Sequence, residues 1–175
     1  MNHQDHVDLL LNGIPHSGGT WADFGAGDGA FTLALADLIG KGGVIHAIDK
    51  SDRTLKQNAE ALRRFPGVTL HTHQADFTQK LDLPPLDGIV MANALHFVER
   101  RHQLETVKRL RAYLKTGGSF ILVEYDVDRG SNWVPHPLSF TSWEALSTEA
   151  GFANTRFLSS KPSRFLKAIY AAVSA

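Results

Sequence analysis

The chain has no cysteine. Disulfides, zinc–thiolate sites and thiol nucleophiles are therefore excluded. It has no excess of either charge, since Lys plus Arg and Asp plus Glu each number 18 in 175 residues. A general nucleic-acid binder carries a basic excess, so no nucleic-acid partner is expected. No apolar run approaches the ~18 residues of a membrane span. Residues Met1–Asp5 lack the basic and apolar stretches of a signal peptide. The expected location is the cytoplasm, with no membrane association. Internal repeats, linkers and low-complexity tracts are also missing. A chain of 175 residues suffices for one domain with a proper core and is too short for two ordinary ones. Residues 1–175 are read as one domain.

What is present is an alternation of apolar strands and amphipathic helices. Residues 1–19 read as a short helix, closing near Asp8–Leu11, and a lead-in. Thr20–Phe24 is a first strand and Ala30–Ile39 a first helix. Val44–Ile48 is a second strand, ending at Asp49. Ser51 caps the next helix, which carries Leu55, Ala59 and Leu62 on one face. Val68–Gln74 is a third strand. Thr78–Pro85 is too short and proline-broken for a full helix. Leu86–Ala92 is nearly all apolar, as in a strand buried on both faces. Arg100–Leu114 is amphipathic, Lys115–Gly118 is a turn, and Ser119–Val123 is a fifth strand leading to Glu124 and Tyr125. Residues 126–140 form an irregular loop, and Ser142 opens a short helix through Ala150. Phe152–Leu158 and Phe165–Val173 are two strands joined too closely for a crossover helix, hence antiparallel. Five βα units closed by a hairpin give an α/β fold with a mostly parallel sheet and one reversed strand.

The segment Asp23-Phe24-Gly25-Ala26-Gly27-Asp28-Gly29 places a glycine-rich turn between strand and helix. Such a turn holds nucleotide-like ligands, because glycine permits positive φ and close approach of the main chain. Asp49, at the end of the second strand, suits both hydroxyls of a ribose. Gly25-x-Gly27-x-x-Ala30 also satisfies the loose dinucleotide pattern, so the glycines leave the ligand open. Asp23 faces an ammonium better than a diphosphate, which a neighbouring carboxylate would repel. Asp76-Phe77, after the third strand, offers a carboxylate for the exocyclic amine of adenine. The terminal hairpin departs from the ordinary dinucleotide fold.

Together these segments resemble the class I S-adenosylmethionine-dependent methyltransferases over nearly the whole chain, most closely the small, single-domain members that act on small molecules. Asp23–Gly29 is similar to the family's glycine loop, Val44–Asp49 to its ribose strand and Gln74–Phe77 to its adenine motif. Leu86–Asn93 and Leu114–Gly118 are similar to its fourth strand and the turn before its fifth. The resemblance implies a Rossmann-like seven-stranded sheet in the order 3-2-1-4-5-7-6, strand 7 antiparallel, with helices on both faces. It implies S-adenosylmethionine as cofactor and S-adenosylhomocysteine as product. Asp23 with Gly25, Ala26 and Gly27 would hold the methionine part, Asp49 the ribose, and Lys50, Asp76 and Phe77 the adenine. The backbone at Asn93 would approach the amino group. Lys50 departs from the family, where an apolar residue often packs on adenine, and so does the helix-poor segment Thr78–Pro85.

Methyl transfer from a sulfonium asks the protein mainly for alignment, and for a base only where the acceptor loses a proton. His96, just past the fourth strand, is the candidate base or acceptor-orienting group, and Glu124, ending the fifth strand toward the same region, is a second candidate that would touch the substrate. Their alternative roles are loop packing for His96 and local pairing for Glu124. Tyr125, Trp133, His136 and Arg164 are candidates for the acceptor pocket, with residues 126–140 as its loop. The pair His71-x-His73 and the terminal His3 and His6 lack acidic partners in a ligand arrangement, so no metal is expected. Asp126 and Asp128 alone do not make a metal-assisted site. The expected partner is a small-molecule acceptor, and the expected state a monomer or homodimer. Two alternatives stand beside the methyltransferase. One is an S-adenosylmethionine-binding protein without catalysis. The other is an NAD-dependent oxidoreductase, against which the chain has no Tyr-x-x-x-Lys.

Overall fold

The computed structural model describes residues 1–163 and 165–175. Its helices are α1 (His3–Leu10), α2 (Ala30–Ile39), α3 (Asp52–Leu62), α4 (Arg100–Arg111) and α5 (Phe140–Glu149). Its strands are β1 (Thr20–Phe24), β2 (Val44–Asp49), β3 (Thr69–Gln74), β4 (Leu86–Ala92), β5 (Leu114–Tyr125), β6 (Thr155–Pro162) and β7 (Ala168–Ser174). One sheet runs in the order β3-β2-β1-β4-β5-β7-β6. The pairings β2–β3, β1–β2, β1–β4 and β4–β5 are parallel, whereas β7 runs antiparallel to β5 and β6. The fold class read from the sequence is the one observed.

Alternation along β1 divides the core. Ala22 and Phe24 point to one face, packed with Ile48, Ile89 and Met91 against Val107 and Leu110 of α4 and Trp143 of α5. Trp21 points to the other, with Ile45, Val90 and Ile121 against Leu9 and Leu10 of α1, Leu35 and Ile39 of α2 and Leu62 of α3. Burial from both sides explains why β4 is apolar almost throughout. Among the described residues no helix is long and apolar enough to cross a membrane.

Several boundaries move. Helix α1 keeps the expected close near Leu10 and starts at His3, where Asn2 and Asp5 form a reciprocal capping box. Helix α5 starts at Phe140, since the Ser139 hydroxyl accepts from Ser142 N–H at 3.3 Å and caps it. Residues 115–118 are a bulge inside β5 rather than a turn before it, with register jumping from Leu86↔Leu114 to Gly88↔Ser119. The hairpin is shifted toward the C-terminus. Phe152 is spent on the exit of α5, buried with its ring 5.8 Å from Phe120, so β6 begins at Thr155 and runs through Pro162. Phe165 falls in the turn, 77% exposed. Residues 78–85 form no helix, as their prolines predict.

Candidate active site

The chain crosses from β3 to β4 over β1 and β2, so the strand order reverses between β1 and β4. That reversal opens a crevice at the carboxyl ends of the strands. The glycine loop sits at its floor. Gly25 has φ 78°, and a Cβ there would stand 2.4 Å from the Cβ of Ala94. Only glycine lets this loop pass so close to the segment after β4. Gly25 and Ala26 N–H both donate to Ile48 carbonyl oxygen, at 2.8 and 3.0 Å. Gly27 N–H donates to Asp49 Oδ2 at 2.9 Å, which ties the loop to β2.

A cavity of about 360 Å³ lies over this loop. Asp23, Asp28 and Asp49 line it with the backbone of Gly25, Ala26 and Gly27, and His6 of α1 closes it. Burial lowers the His6 pKa below the ordinary imidazole range, and its ring leans on Phe31 at 4.7 Å. Among the described residues no Lys or Arg lines this cavity. Asp23 is 1% exposed, and burial first, with Asp49 adding to it, raises its pKa to about 7 against the opposing hydrogen bond from Thr32.

An adjoining cavity of about 370 Å³ is lined by Asp49, Lys50, Phe77, Thr78, Asn93 and Phe97, among others. Asp49 Oδ1 accepts from Ser51 N–H at 2.9 Å. Asp76 lines none of these cavities. Its Oδ1 accepts from Thr78 N–H and hydroxyl at 2.9 and 2.7 Å, and its Oδ2 pairs with Lys50 Nζ at 3.0 Å. Burial works against these contacts, yet the Asp76 pKa lies below its ordinary value through Thr78 and Lys50. A third cavity, about 510 Å³, is walled by Met1 and Asp5 near α1, by Asn93 and Tyr125, and by Lys161, Phe165 and Ile169 of the hairpin. Lys161 Nζ reaches Asp5 at 3.3 Å and Asp8 at 2.7 Å.

Asn93 lines all three cavities. It has φ 52°, and its buried Oδ1 has no partner among the described residues. A buried amide oxygen left bare at a junction of cavities suits a donor from outside the chain.

His96 and Glu124 form a buried pair, 2% and 0% exposed. His96 Nδ1 lies 2.9 Å from both Glu124 oxygens, and Tyr125 N–H donates to Glu124 Oε1 at 2.8 Å. A carboxylate only accepts, so Nδ1 carries the proton and Nε2 is left free. The His96 ring lies between Phe97 and Tyr125, at 4.3 and 6.0 Å, and lines none of the three cavities.

Two of the expected acceptor residues are corrected. Trp133 is 83% exposed on the 126–140 loop and lines no cavity described above. His136 is half-buried and lines none of the three cavities; its backbone N–H donates to His96 carbonyl oxygen at 3.0 Å and its backbone carbonyl accepts from Gln103 at 2.8 Å. Arg100 ties that loop down through the carbonyls of Asp128 and Pro137, and none of residues 126–140 lines the three cavities. Arg164 lies outside the described residues. Sequence reading missed His6 and Lys161, which reach the site from the distant α1 and β6, and Phe97, which directly follows His96 after β4. It also passed over Asp28, whose place in the glycine loop was the available signal.

Residues 22–120, more than half of the chain, match the methyltransferase domain family. The chain belongs to that family. The class is the S-adenosylmethionine-dependent class I, and S-adenosylmethionine is the family's cofactor. No curated protein matches this methyltransferase domain. Its fold is similar to that of an S-adenosylmethionine-dependent methyltransferase from Aquifex aeolicus, with TM-score 0.73 and 19% identity, covering 97% of this chain and 88% of the other. It is also similar to the 1,6-didemethyltoxoflavin-N1-methyltransferase of Burkholderia thailandensis, solved with its acceptor and S-adenosylhomocysteine (TM-score 0.74, 15% identity, 98% of this chain and 77% of the other). A candidate O-methyltransferase from Nostoc punctiforme PCC 73102 gives TM-score 0.76 at 16% identity over 97% of this chain. The methyltransferase domain spans only 55% of the Nostoc protein's length.

Proposed function

We propose that this chain is a single-domain enzyme that moves the methyl group of S-adenosylmethionine to a small-molecule acceptor. The observation that carries the reading is the cavity over the glycine loop, with three carboxylates, a histidine kept neutral by burial, and no Lys or Arg among the described residues. Such a cavity attracts a sulfonium amino acid and repels the diphosphate of a dinucleotide. S-adenosylmethionine, when bound, supplies a methyl group on a positively charged sulfur for direct displacement.

In this reading Asp23 and the backbone of Gly25, Ala26 and Gly27 hold the amino-acid end. Asp49 takes the ribose hydroxyls. Phe77 and the stem of Lys50 flank the adenine, and Asp76, which lies outside the cavity, fixes Lys50 from behind and meets the amine only where the ligand displaces Lys50 from its Oδ2. Asn93 stands where donor and acceptor meet. The acceptor takes the cavity of about 510 Å³, a volume suited to a small organic molecule. Tyr125, Phe165 and Ile169 supply its walls. Lys161 is already neutralised by Asp5 and Asp8, which argues against an acceptor recognised mainly by its negative charge. Glu124 fixes the tautomer of His96, so that Nε2 is the atom that takes a proton from acceptors that must lose one. The protein works as a monomer or homodimer in the cytoplasm, with no nucleic-acid or membrane partner.

The burial of His96 away from all three cavities favours one second reading, cofactor binding without catalysis. Calorimetry with S-adenosylmethionine, S-adenosylhomocysteine and NAD tests the first part. The first two should bind and NAD should not, and binding of NAD alone sinks the proposal. Offering a panel of phenols, amines and thiols with S-adenosylmethionine and measuring S-adenosylhomocysteine release separates enzyme from binder.

A further inference from the structure

Behind Asp23 lies a buried relay of two polar side chains. Thr32 of α2 donates its hydroxyl hydrogen to Asp23 Oδ2 at 2.6 Å. Asn58 of α3 donates its amide hydrogen to Thr32 Oγ1 at 2.8 Å. All three side chains are buried, with Asp23 at 1% and Thr32 and Asn58 at 0% exposure. The order of the bonds fixes the direction of the hydrogens. The amide fills a lone pair of Thr32 Oγ1, so the hydroxyl hydrogen is left for Asp23. A donor aimed at a carboxyl favours the ionised form. The arrangement also carries a cost, because Asn58 Oδ1 is buried with no partner among the described residues. Turning the amide over would satisfy that oxygen with the Thr32 hydroxyl, but would leave Thr32 to accept from a protonated Asp23. Gly29, at φ 99°, makes room for Asn58, since a Cβ there would stand 2.6 Å from Asn58 Oδ1.

We propose that Thr32 and Asn58 are positioning residues that hold Asp23 as the carboxylate the ammonium of a bound ligand requires, so that breaking the relay makes binding of that ligand more sensitive to acid. The inference rests on the reading that Asp23 meets the amino end of the cofactor. The titratable groups that share the cavity with Asp23 are Asp28 of the loop, Asp49 of β2 and His6 of α1. Asp49 works against the relay, and burial against it most of all, which leaves Asp23 near pH 7 rather than at its ordinary value. His6 stays neutral through the range above its lowered pKa and gives no cation to replace the relay. At neutral pH the ligand-free chain is poised between the two forms, and a bound ammonium selects the carboxylate.

The test measures two quantities in the full chain and in Thr32→Val, Thr32→Ser and Asn58→Ala. One is S-adenosylhomocysteine affinity by calorimetry from pH 5.5 to 9. The other is the Asp23 carboxyl titration without ligand, by carbon-13 NMR on aspartate-labelled protein, assigned by the signal missing in Asp23→Asn. The unaltered chain should lose affinity below pH 7, approaching tenfold per pH unit. Thr32→Val should move both midpoints upward by about one pH unit or more, so that binding weakened at pH 7 returns at pH 9. Asn58→Ala should do the same to a smaller extent, and Thr32→Ser should restore the original midpoint. Equal loss of affinity at every pH, with the NMR midpoint unmoved in both Thr32→Val and Asn58→Ala, overturns the relay. Absence of S-adenosylhomocysteine binding at all pH values overturns the cofactor reading instead, and the NMR midpoints still decide the relay.

Discussion

Asp23 is held in tension between function and stability. Its carboxyl is buried, and its pKa in the folded chain is raised from 3.8 to about 7. The sign of the linkage follows. A carboxyl whose folded pKa lies above its unfolded value binds its proton more tightly in the folded state. That contribution to stability is fully present below pH 4 and is lost as pH rises to 7 and beyond. Asparagine keeps an oxygen for the Thr32 hydroxyl and has no charge to bury. Asp23→Asn should therefore be more stable than the natural chain at pH 8 by roughly 2–4 kcal/mol, with the difference shrinking toward zero at pH 4. Urea unfolding at the two pH values checks this, and a difference that does not change with pH contradicts it. The same substitution should abolish binding of S-adenosylhomocysteine. A residue that costs stability without its ligand is what a binding carboxylate predicts.

Strand β3 shows what a missing helix leaves at the edge of the sheet. His46 of β2 pairs in register with His71 of β3, and His46 Nδ1 lies 2.9 Å from His73 Nε2. The His46 ring stands 5.0 and 5.1 Å from the other two. Burial first, then His73 and His71, lower the His46 pKa to about 4. A depressed pKa gives stability that is present above the ordinary imidazole value and is lost as pH falls from 6.5 toward 4. Amide hydrogen exchange, corrected for its intrinsic pH dependence, should show protection in Thr69–Gln74 falling roughly tenfold from pH 7 to pH 5, relative to Leu86–Ala92. His46→Phe keeps the stacked ring without the charge and should remove the difference. Undiminished protection of β3 in the natural chain at pH 5 would refute the idea. The sequence made His71 and His73 visible as one face of a strand, but not His46, because the β2–β3 register joins residues far apart in the chain. The β5 bulge, the shifted hairpin and the reach of α1 over the crevice escaped for the same reason. Glycine loop, strand ends and strand alternation are local patterns and were legible. The companions that decide their chemistry, Thr32 with Asn58 and Lys161 with Asp8, depend on tertiary packing.

The crevice draws its walls from both halves of the sheet. Asp23, Asp28 and Asp49 come from β1, its loop and β2, Asn93 follows β4, Tyr125 ends β5, and His6 and Lys161 close over them from α1 and β6. A ligand seated there contacts elements that otherwise meet only through the sheet, so its binding energy should oppose unfolding of the whole molecule rather than of one loop. At a free concentration of S-adenosylhomocysteine held at one hundred times the natural chain's dissociation constant at pH 8, the stabilisation at that pH is about 2.7 kcal/mol. For a chain of this size that corresponds to a rise in unfolding temperature of roughly 5–10 °C. The rise should be larger at pH 8 than at pH 6, as Asp23 ionises, and absent in Asp23→Asn. NAD should give none, because its diphosphate meets three carboxylates. A calorimetric scan at both pH values measures all of this. A rise that persists in Asp23→Asn would place the amino end of the ligand elsewhere than against β1, and an equal rise with NAD would show that the carboxylates do not select the ligand by charge.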